Sequence, residues 1–118
     1  MAYTEKFQTL ADQAQAKVKP VQAADVDTLL AQGAVVLDIR DKEEHDAGHI
    51  SGSMNISRGK LEMNVEGALP SLDTKILCYC NANNRGALSA AALKEIGYEN
   101  AHYIAGGLNA YRKLQSAA

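Results

Sequence analysis

The chain has 118 residues, of which 47% are hydrophobic and 22% are charged. This ordinary composition, at the size of one domain, excludes a disordered chain and leaves no room for two separate cores. The formal net charge of −2 argues against binding to a phosphate backbone, so we expect no nucleic-acid partner. No apolar run approaches the roughly 20 residues that cross a bilayer, and Glu5 and Lys6 stand where a secretory signal would be apolar. We therefore expect a soluble, cytoplasmic domain with no membrane partner.

Apolar spacing predicts helices and short strands that alternate along the chain. Residues 4–18 carry apolar side chains at helical spacing, and Lys19-Pro20 ends this helix because proline has no amide hydrogen to donate. The predicted strands cover 34–39, 53–57, 75–80 and 101–104, with a short extended piece at Val21; the predicted helices cover 23–32, 58–65, 87–96 and 108–114, with a charged helical turn at 41–49. This alternation indicates an α/β domain with a mainly parallel central sheet. We divide the chain into a helical extension, residues 1–19, and a domain, residues 20–118.

A thiol and a short polar loop follow the predicted strand at 75–80. Cys80 ends the strand, and Asn81-Ala82-Asn83-Asn84 separates it from Arg85 and Gly86. The loop amides and the positive end of the following helix favour an anion, and Arg85 adds a permanent cation. No acidic residue lies nearby in the sequence, so the local field should favour the nucleophilic thiolate. We predict a reactive Cys80; an inert cysteine at an ordinary helix start is the alternative.

The other cysteine and the histidines give a weaker signal. Cys78 lies further inside the strand, so we interpret it as a core residue. The set of Cys78, Cys80, His45, His49 and His102 has no metal-ligand spacing beyond C-x-C. We therefore predict neither a metal nor a cofactor, and we interpret His49 as a packed, hydrogen-bonded side chain.

Three motifs, in this order, resemble the rhodanese family of sulfurtransferases. LDIRDKEEHDAGHISGSMNIS, residues 37–57, resembles the family's first signature. The cysteine, four loop residues and arginine at 80–85 are similar to its active-site loop, and GYENAHYIAGGLNAY, residues 97–111, is similar to its final segment. The resemblance covers about residues 20–114 and implies a rhodanese-like α/β fold with helices on both faces of the sheet, to which this chain adds an N-terminal helix.

The resemblance also implies a reaction. The Cys80 thiolate would take sulfane sulfur from thiosulfate or a similar small anion, forming a persulfide, and cyanide or a thiol would then accept the sulfur. The predicted substrate-binding residues are Asn81, Ala82, Asn83, Asn84, Arg85, Gly86 and Arg58, the last of them at the border of the cleft. In this pattern Asp38 and Arg40 are architectural, and we expect Arg40 to pair with Glu44 or Glu43.

Two departures from the family's pattern keep another function open. Asn83 stands where glycine is frequent, and its tolerance of left-handed backbone should let the loop curl. Gly86 replaces a frequent serine, which removes a hydroxyl near the donor. The alternative is therefore a persulfide carrier, a sulfur-relay module that a partner enzyme loads and that is slow with small donors. A phosphatase is disfavoured, because the related phosphatases have five residues between the cysteine and the arginine, where this chain has four.

The N-terminal helix and the oligomeric state give no decisive pattern. The simplest interpretation of the helix is that it covers an exposed part of the domain, and docking of a partner protein is the alternative. A monomer and a homodimer both remain open.

Overall fold

A parallel five-stranded sheet forms the centre of the computed structural model, which describes residues 3–117. The strands are β1 (Pro20–Val21), β2 (Val35–Asp38), β3 (Met54–Asn55), β4 (Ile76–Tyr79) and β5 (Ala101–Ile104), in the order β1-β5-β4-β2-β3. Every strand pair within the described residues is parallel, which confirms the predicted α/β class. The predicted extension and domain lie within the described residues except for residues 1, 2 and 118.

Six helices accompany the sheet in the described part of the chain. They are α1 (Glu5–Lys17), α2 (Val26–Ala31), α3 (Lys42–Ala47), α4 (Leu61–Ala68), α5 (Asn84–Ile96) and α6 (Gly107–Ala117). Two of the predicted helices begin as 3₁₀ turns, at Ala23–Asp25 and Arg58–Lys60. The helix predicted at 87–96 begins three residues earlier, because Asn84-Arg85-Gly86 carries no apolar periodicity that would mark its first turn.

The core lies on both faces of the sheet. Alternate residues of each strand point to opposite faces, so the apolar run of β4 is buried throughout. One face packs against α1, α4 and α5, and the other packs against α2 and α6. Each fully buried Leu or Ile contributes roughly 1.5–3 kcal/mol to folding. Ala87 and Ala90 are fully buried, which lets α5 lie close to β4 and brings its first turn to the end of that strand.

The first helix belongs to the packed structure. It ends at Lys17, just before Lys19-Pro20 as predicted, and it buries Ala11 and Ala14 against α5. Leu10, which the apolar spacing placed on the buried face, is 57% exposed, because the contact with α5 is a narrow stripe of alanines. Within residues 3–117, no helix has the length and apolar character needed to span a membrane.

Candidate functional site

The Cys80 side chain lies at the carboxyl end of β4, the central strand of the sheet. Parallel sheets place their ligand sites at this edge. The backbone amide of Gly86, in the first turn of α5, donates to Cys80 Sγ at 3.3 Å, and the cysteine is only 3% exposed. Arg85 lies in the same first turn of α5. The thiol therefore sits beside a main-chain donor and the positive end of a 13-residue helix.

The start of α6 holds the loop from the other side. The Leu108 amide donates to the Cys80 carbonyl at 2.9 Å, and the Asn109 amide donates to the Asn81 carbonyl at 3.1 Å. These bonds join two elements that are separated by a whole strand and helix in the sequence. At the exposed residues Asn81 and Ala82, the loop backbone is therefore held on one side by hydrogen bonds from α6.

Gly107 makes this contact possible, and sequence reasoning gave it no role at the site. Its φ is +54°, and a Cβ atom there would lie within 3.0 Å of the carbonyl oxygens of Cys80 and Ala82. Any residue with a side chain would therefore push α6 away from the loop. The paired glycines before the last helix were the available signal, but a sequence does not show which backbone they approach.

Asn83 holds the loop through its side chain. The Gly106 amide donates to Asn83 Oδ1 at 2.7 Å. The expected left-handed backbone at Asn83 is wrong: its φ is −115°, and in the described residues only glycines have positive φ. The loop turns into α5 without a left-handed residue, so the asparagine contributes a hydrogen bond where the frequent glycine would contribute flexibility.

A carboxylate from α3 neutralises the loop arginine. Arg85 donates from Nη1 to Glu44 Oε2 at 3.0 Å and from Nη2 to Glu44 Oε1 at 3.1 Å. These bonds hold the pKa of the Glu44 carboxyl below its usual range and raise the pKa of Arg85. The absence of acidic residues near the loop in the sequence was misleading, because Glu44 comes from 41 residues away.

A buried ion pair supports the same end of the sheet. Arg40 donates from Nε and Nη2 to the two carboxylate oxygens of Asp38, at 2.9 and 2.8 Å, and from Nη1 to Asn81 Oδ1 at 3.2 Å. His45 Nδ1 lies 2.9 Å from Asp38 Oδ2. The pairing that we expected between Arg40 and Glu44 or Glu43 is wrong, since Glu44 is taken by Arg85. The architectural role predicted for Asp38 and Arg40 fits their near-complete burial.

This pair should make folding sensitive to acid. Burial alone would raise the pKa of the Asp38 carboxyl, but hydrogen bonds from Arg40 and His45 outweigh it and hold the pKa below its ordinary value. A carboxyl with a lowered folded pKa stabilises the protein above its unfolded pKa, and this stability disappears as the pH falls through the folded pKa.

We expect Asp38→Asn to lower the free energy of unfolding at pH 7 by about 2 kcal/mol, because hydrogen bonds to a charged group contribute roughly 1.5–3 kcal/mol. In urea titrations, the free energy of unfolding of the variant should also depend less on pH between pH 5 and 2 than that of the wild type. Asp73→Asn, which removes an exposed carboxylate outside this network, is the control and should keep the wild-type dependence. Parallel pH profiles for wild type and Asp38→Asn would contradict the assignment.

His45 of α3 and His49 of the following turn lie on the solvent-facing side of the Asp38–Arg40 network. His49 is exposed, so the prediction that it is packed is wrong, although its Nδ1 is hydrogen-bonded to the His45 carbonyl at 2.7 Å. Its ring stacks on that of His45 with centroids 3.7 Å apart. Residues 3–117 contain no group of three His, Cys, Asp or Glu side chains placed to hold a metal ion. Cys78 is fully buried in β4, as predicted.

The remaining predicted residues separate into two locations. The Asn84 carboxamide faces α1, where it donates to Gln8 Oε1 at 3.1 Å and accepts from Gln8 and Gln15 at 3.3 and 3.4 Å. Arg58 pairs with Glu62 at 2.8 Å and lines a cavity of about 200 Å³ between α1 and α5. The structure thus brings residues 80–86 together, whereas the described contacts of the Arg58 side chain are elsewhere.

Comparison with known proteins gives a consistent picture. The family model "Rhodanese-like domain" matches residues 22–114. The thiosulfate sulfurtransferase GlpE of Pseudomonas entomophila is 34% identical over 96 residues, which cover 81% of this chain and 84% of that protein. A Rhodopseudomonas palustris protein of unknown function, described as a possible tyrosine phosphatase, is 28% identical, with a TM-score of 0.85 over 98% of this chain and 95% of its own. The human single-domain sulfurtransferase TSTD1 shares the fold, with a TM-score of 0.73 at 24% identity over 81% of this chain and 96% of its own.

Proposed function

The chain belongs to the rhodanese-like domain family, and from that premise we propose that it transfers sulfane sulfur through a persulfide on Cys80. Its 34% sequence identity to thiosulfate sulfurtransferases supports the general activity, that of a rhodanese-type sulfurtransferase. One observation carries the choice of residue: the Gly86 amide donates to Cys80 Sγ at the start of α5. A hydrogen bond to sulfur at a helix N-terminus favours the thiolate, which is the nucleophilic form.

The reaction has two displacement steps at sulfur. The Cys80 thiolate attacks the outer sulfur of thiosulfate, a new S–S bond forms, and the original S–S bond breaks with its electron pair leaving on sulfite. The persulfide anion on Cys80 then yields its outer sulfur to cyanide, forming thiocyanate and restoring the thiolate. In the first step the electron pair of the broken bond leaves on sulfite and in the second it returns to Cys80 Sγ, so the cycle balances without an oxidant or a reductant.

The loop would hold the outer sulfur of the persulfide. That atom would lie about 2 Å beyond Sγ of the 3%-exposed cysteine. The Gly86 amide and the α5 dipole oppose its negative charge, and they act strongly because the surroundings are buried. The hydrogen bonds between α6 and the loop keep the Gly86 amide and the start of α5 in place before the sulfur donor binds.

Mass spectrometry of the wild-type protein tests the proposal. After incubation with thiosulfate and removal of excess reagent, we expect the intact protein to gain the mass of one sulfur atom, and peptide mapping should place it on Cys80. Cyanide should remove this sulfur and release an equal amount of thiocyanate. A protein that gains no sulfur from either thiosulfate or an alkyl persulfide, or gains it on Cys78, would contradict the proposal.

A persulfide carrier is the second candidate, and the Arg85–Glu44 pair favours it. An arginine held by a carboxylate offers less attraction to a small anionic donor than a free one. Thiosulfate turnover with a low KM would count against the carrier. Stable transfer of sulfur from a partner enzyme, with slow turnover of thiosulfate, would support it.

Both candidate functions place the protein in a reducing compartment. Cys78 and Cys80 are free thiols in the structure, and the proposed cycle uses a reduced Cys80. We therefore include a cytoplasmic location in the proposal.

A further inference from the structure

We propose that the Glu44 carboxylate sets the donor preference of this site, so that it takes sulfane sulfur from an alkyl persulfide, neutral in its reacting R–S–SH form, in preference to the doubly charged thiosulfate. The inference rests on the proposed function, because it concerns which donor loads Cys80. It assigns Glu44, a residue of α3, as a specificity residue for the reaction.

Glu44 lies at the mouth of the loop and contacts both of its ends. Besides the two bonds from Arg85, Glu44 Oε1 is 3.5 Å from the Asn81 Nδ2 donor. The carboxylate is one-third exposed, and its contacts with Asn81 and Arg85 place it beside the loop that follows Cys80. A backbone hydrogen bond also fixes the position of this carboxylate, because the Asp41 amide donates to Glu44 Oε2 at 3.1 Å in the first turn of α3.

The two guanidinium groups with described contacts to the loop, those of Arg85 and Arg40, are each paired with a carboxylate and leave no unbalanced charge for a dianion. Both terminal nitrogens of the Arg85 guanidinium donate to Glu44, so these hydrogen-bond donors are not available to a sulfonate group. Arg40, the other arginine that contacts the loop, is paired with Asp38 at 2.8 Å. With these two cations balanced, ionisation of Cys80 for its attack adds a negative charge at the mouth of the loop.

The chemistry of an alkyl persulfide avoids this repulsion. The Cys80 thiolate attacks the outer sulfur of R–S–SH, a new S–S bond forms, and the old bond breaks with its electron pair on the departing thiolate RS⁻. The proton stays on the transferred sulfur until it is lost to solvent. No sulfonate has to lie beside Glu44, so the reaction needs only the Gly86 amide and the α5 dipole at the reacting sulfur.

Glu44→Gln tests the inference with little change of shape. Glutamine can still accept the Asp41 amide, as capping boxes with glutamine do, while the charge is removed. With thiosulfate and 2-hydroxyethyl persulfide as donors and cyanide as acceptor, we expect kcat/KM for thiosulfate to rise about tenfold and that for the persulfide to change less than twofold. Glu43→Gln is the matched control, because it removes the same charge from an exposed neighbour on the same helix.

An unchanged ratio of the two kcat/KM values in Glu44→Gln, or an equal change in Glu43→Gln, would overturn the inference while leaving the proposed function intact. If neither donor places sulfur on Cys80 of the wild type, the proposed function itself fails. Salt dependence of the wild type needs no variant: added KCl should raise kcat/KM for thiosulfate more than for the persulfide, because it screens the repulsion. A fall for thiosulfate would overturn the inference even if Glu44→Gln does not fold.

Discussion

Cys80→Ser is expected to lower the rate of sulfur transfer from thiosulfate to cyanide by about three orders of magnitude or more, to the uncatalysed background. A serine hydroxyl stays protonated in this site and cannot form the S–S bond that carries the transferred atom. Because Cys80 is 3% exposed and a hydroxyl is close to a thiol in size, the fold should survive. Thiocyanate formation gives the rate, and intact-protein mass spectrometry shows whether sulfur is still acquired.

Cys78→Ala is the matched control for this variant. Cys78 lies two residues earlier in β4 and is fully buried, and burial raises the pKa of its thiol far above neutral pH. It should therefore be unreactive, and the alanine variant should keep its activity within about twofold while losing about 1 kcal/mol of stability to the small cavity. If Cys78→Ala lost activity and Cys80→Ser retained it, Cys78 would be the nucleophile and the assignment of Cys80 would be refuted.

The sheet and the place of Cys80 could be predicted because each depends on short segments. The buried strands are short apolar runs, and residues that interrupt helices lie next to two strands, with Pro20 at the start of β1 and Gly33 just before β2. A parallel sheet gathers its ligand site at the carboxyl ends of its strands, so a cysteine at the end of β4 was a candidate without any structure.

The contacts that complete the site depend on distant segments, and sequence reasoning missed them. Glu44 and Arg85 lie on separate helices, so the local charge around the loop predicted a free arginine where the structure has a paired one. Asn83 was interpreted by backbone preference alone, whereas its side chain is fixed by the Gly106 amide. Leu10 followed the helical period but lies outside the narrow contact with α5. Each case needs the packing of two helices, which periodicity does not provide.

Gly107→Ala is the second substitution for which we expect a large effect. The added Cβ would meet the carbonyl oxygens of Cys80 and Ala82, and the residue would keep a positive φ that costs an L-residue about 1–2 kcal/mol. Relief of the clash requires α6 to move, which breaks the bond from the Leu108 amide to the Cys80 carbonyl. We expect a loss of about 3 kcal/mol or more in urea unfolding. At temperatures where the variant stays folded, we expect a loss of about 100-fold in kcat/KM, since a displacement near 1 Å has such an effect.

Gly67→Ala separates this effect from a general cost of replacing glycine. Gly67 lies in α4, its φ is not positive, and a Cβ there meets nothing within 4 Å. Alanine at this helical position should leave the activity unchanged and raise the stability by up to about 1 kcal/mol. If Gly107→Ala kept full sulfur-transfer activity, the contact between α6 and the loop would not be what holds the Gly86 amide on Cys80, and the preorganisation argued for the persulfide would have to come from α5 alone.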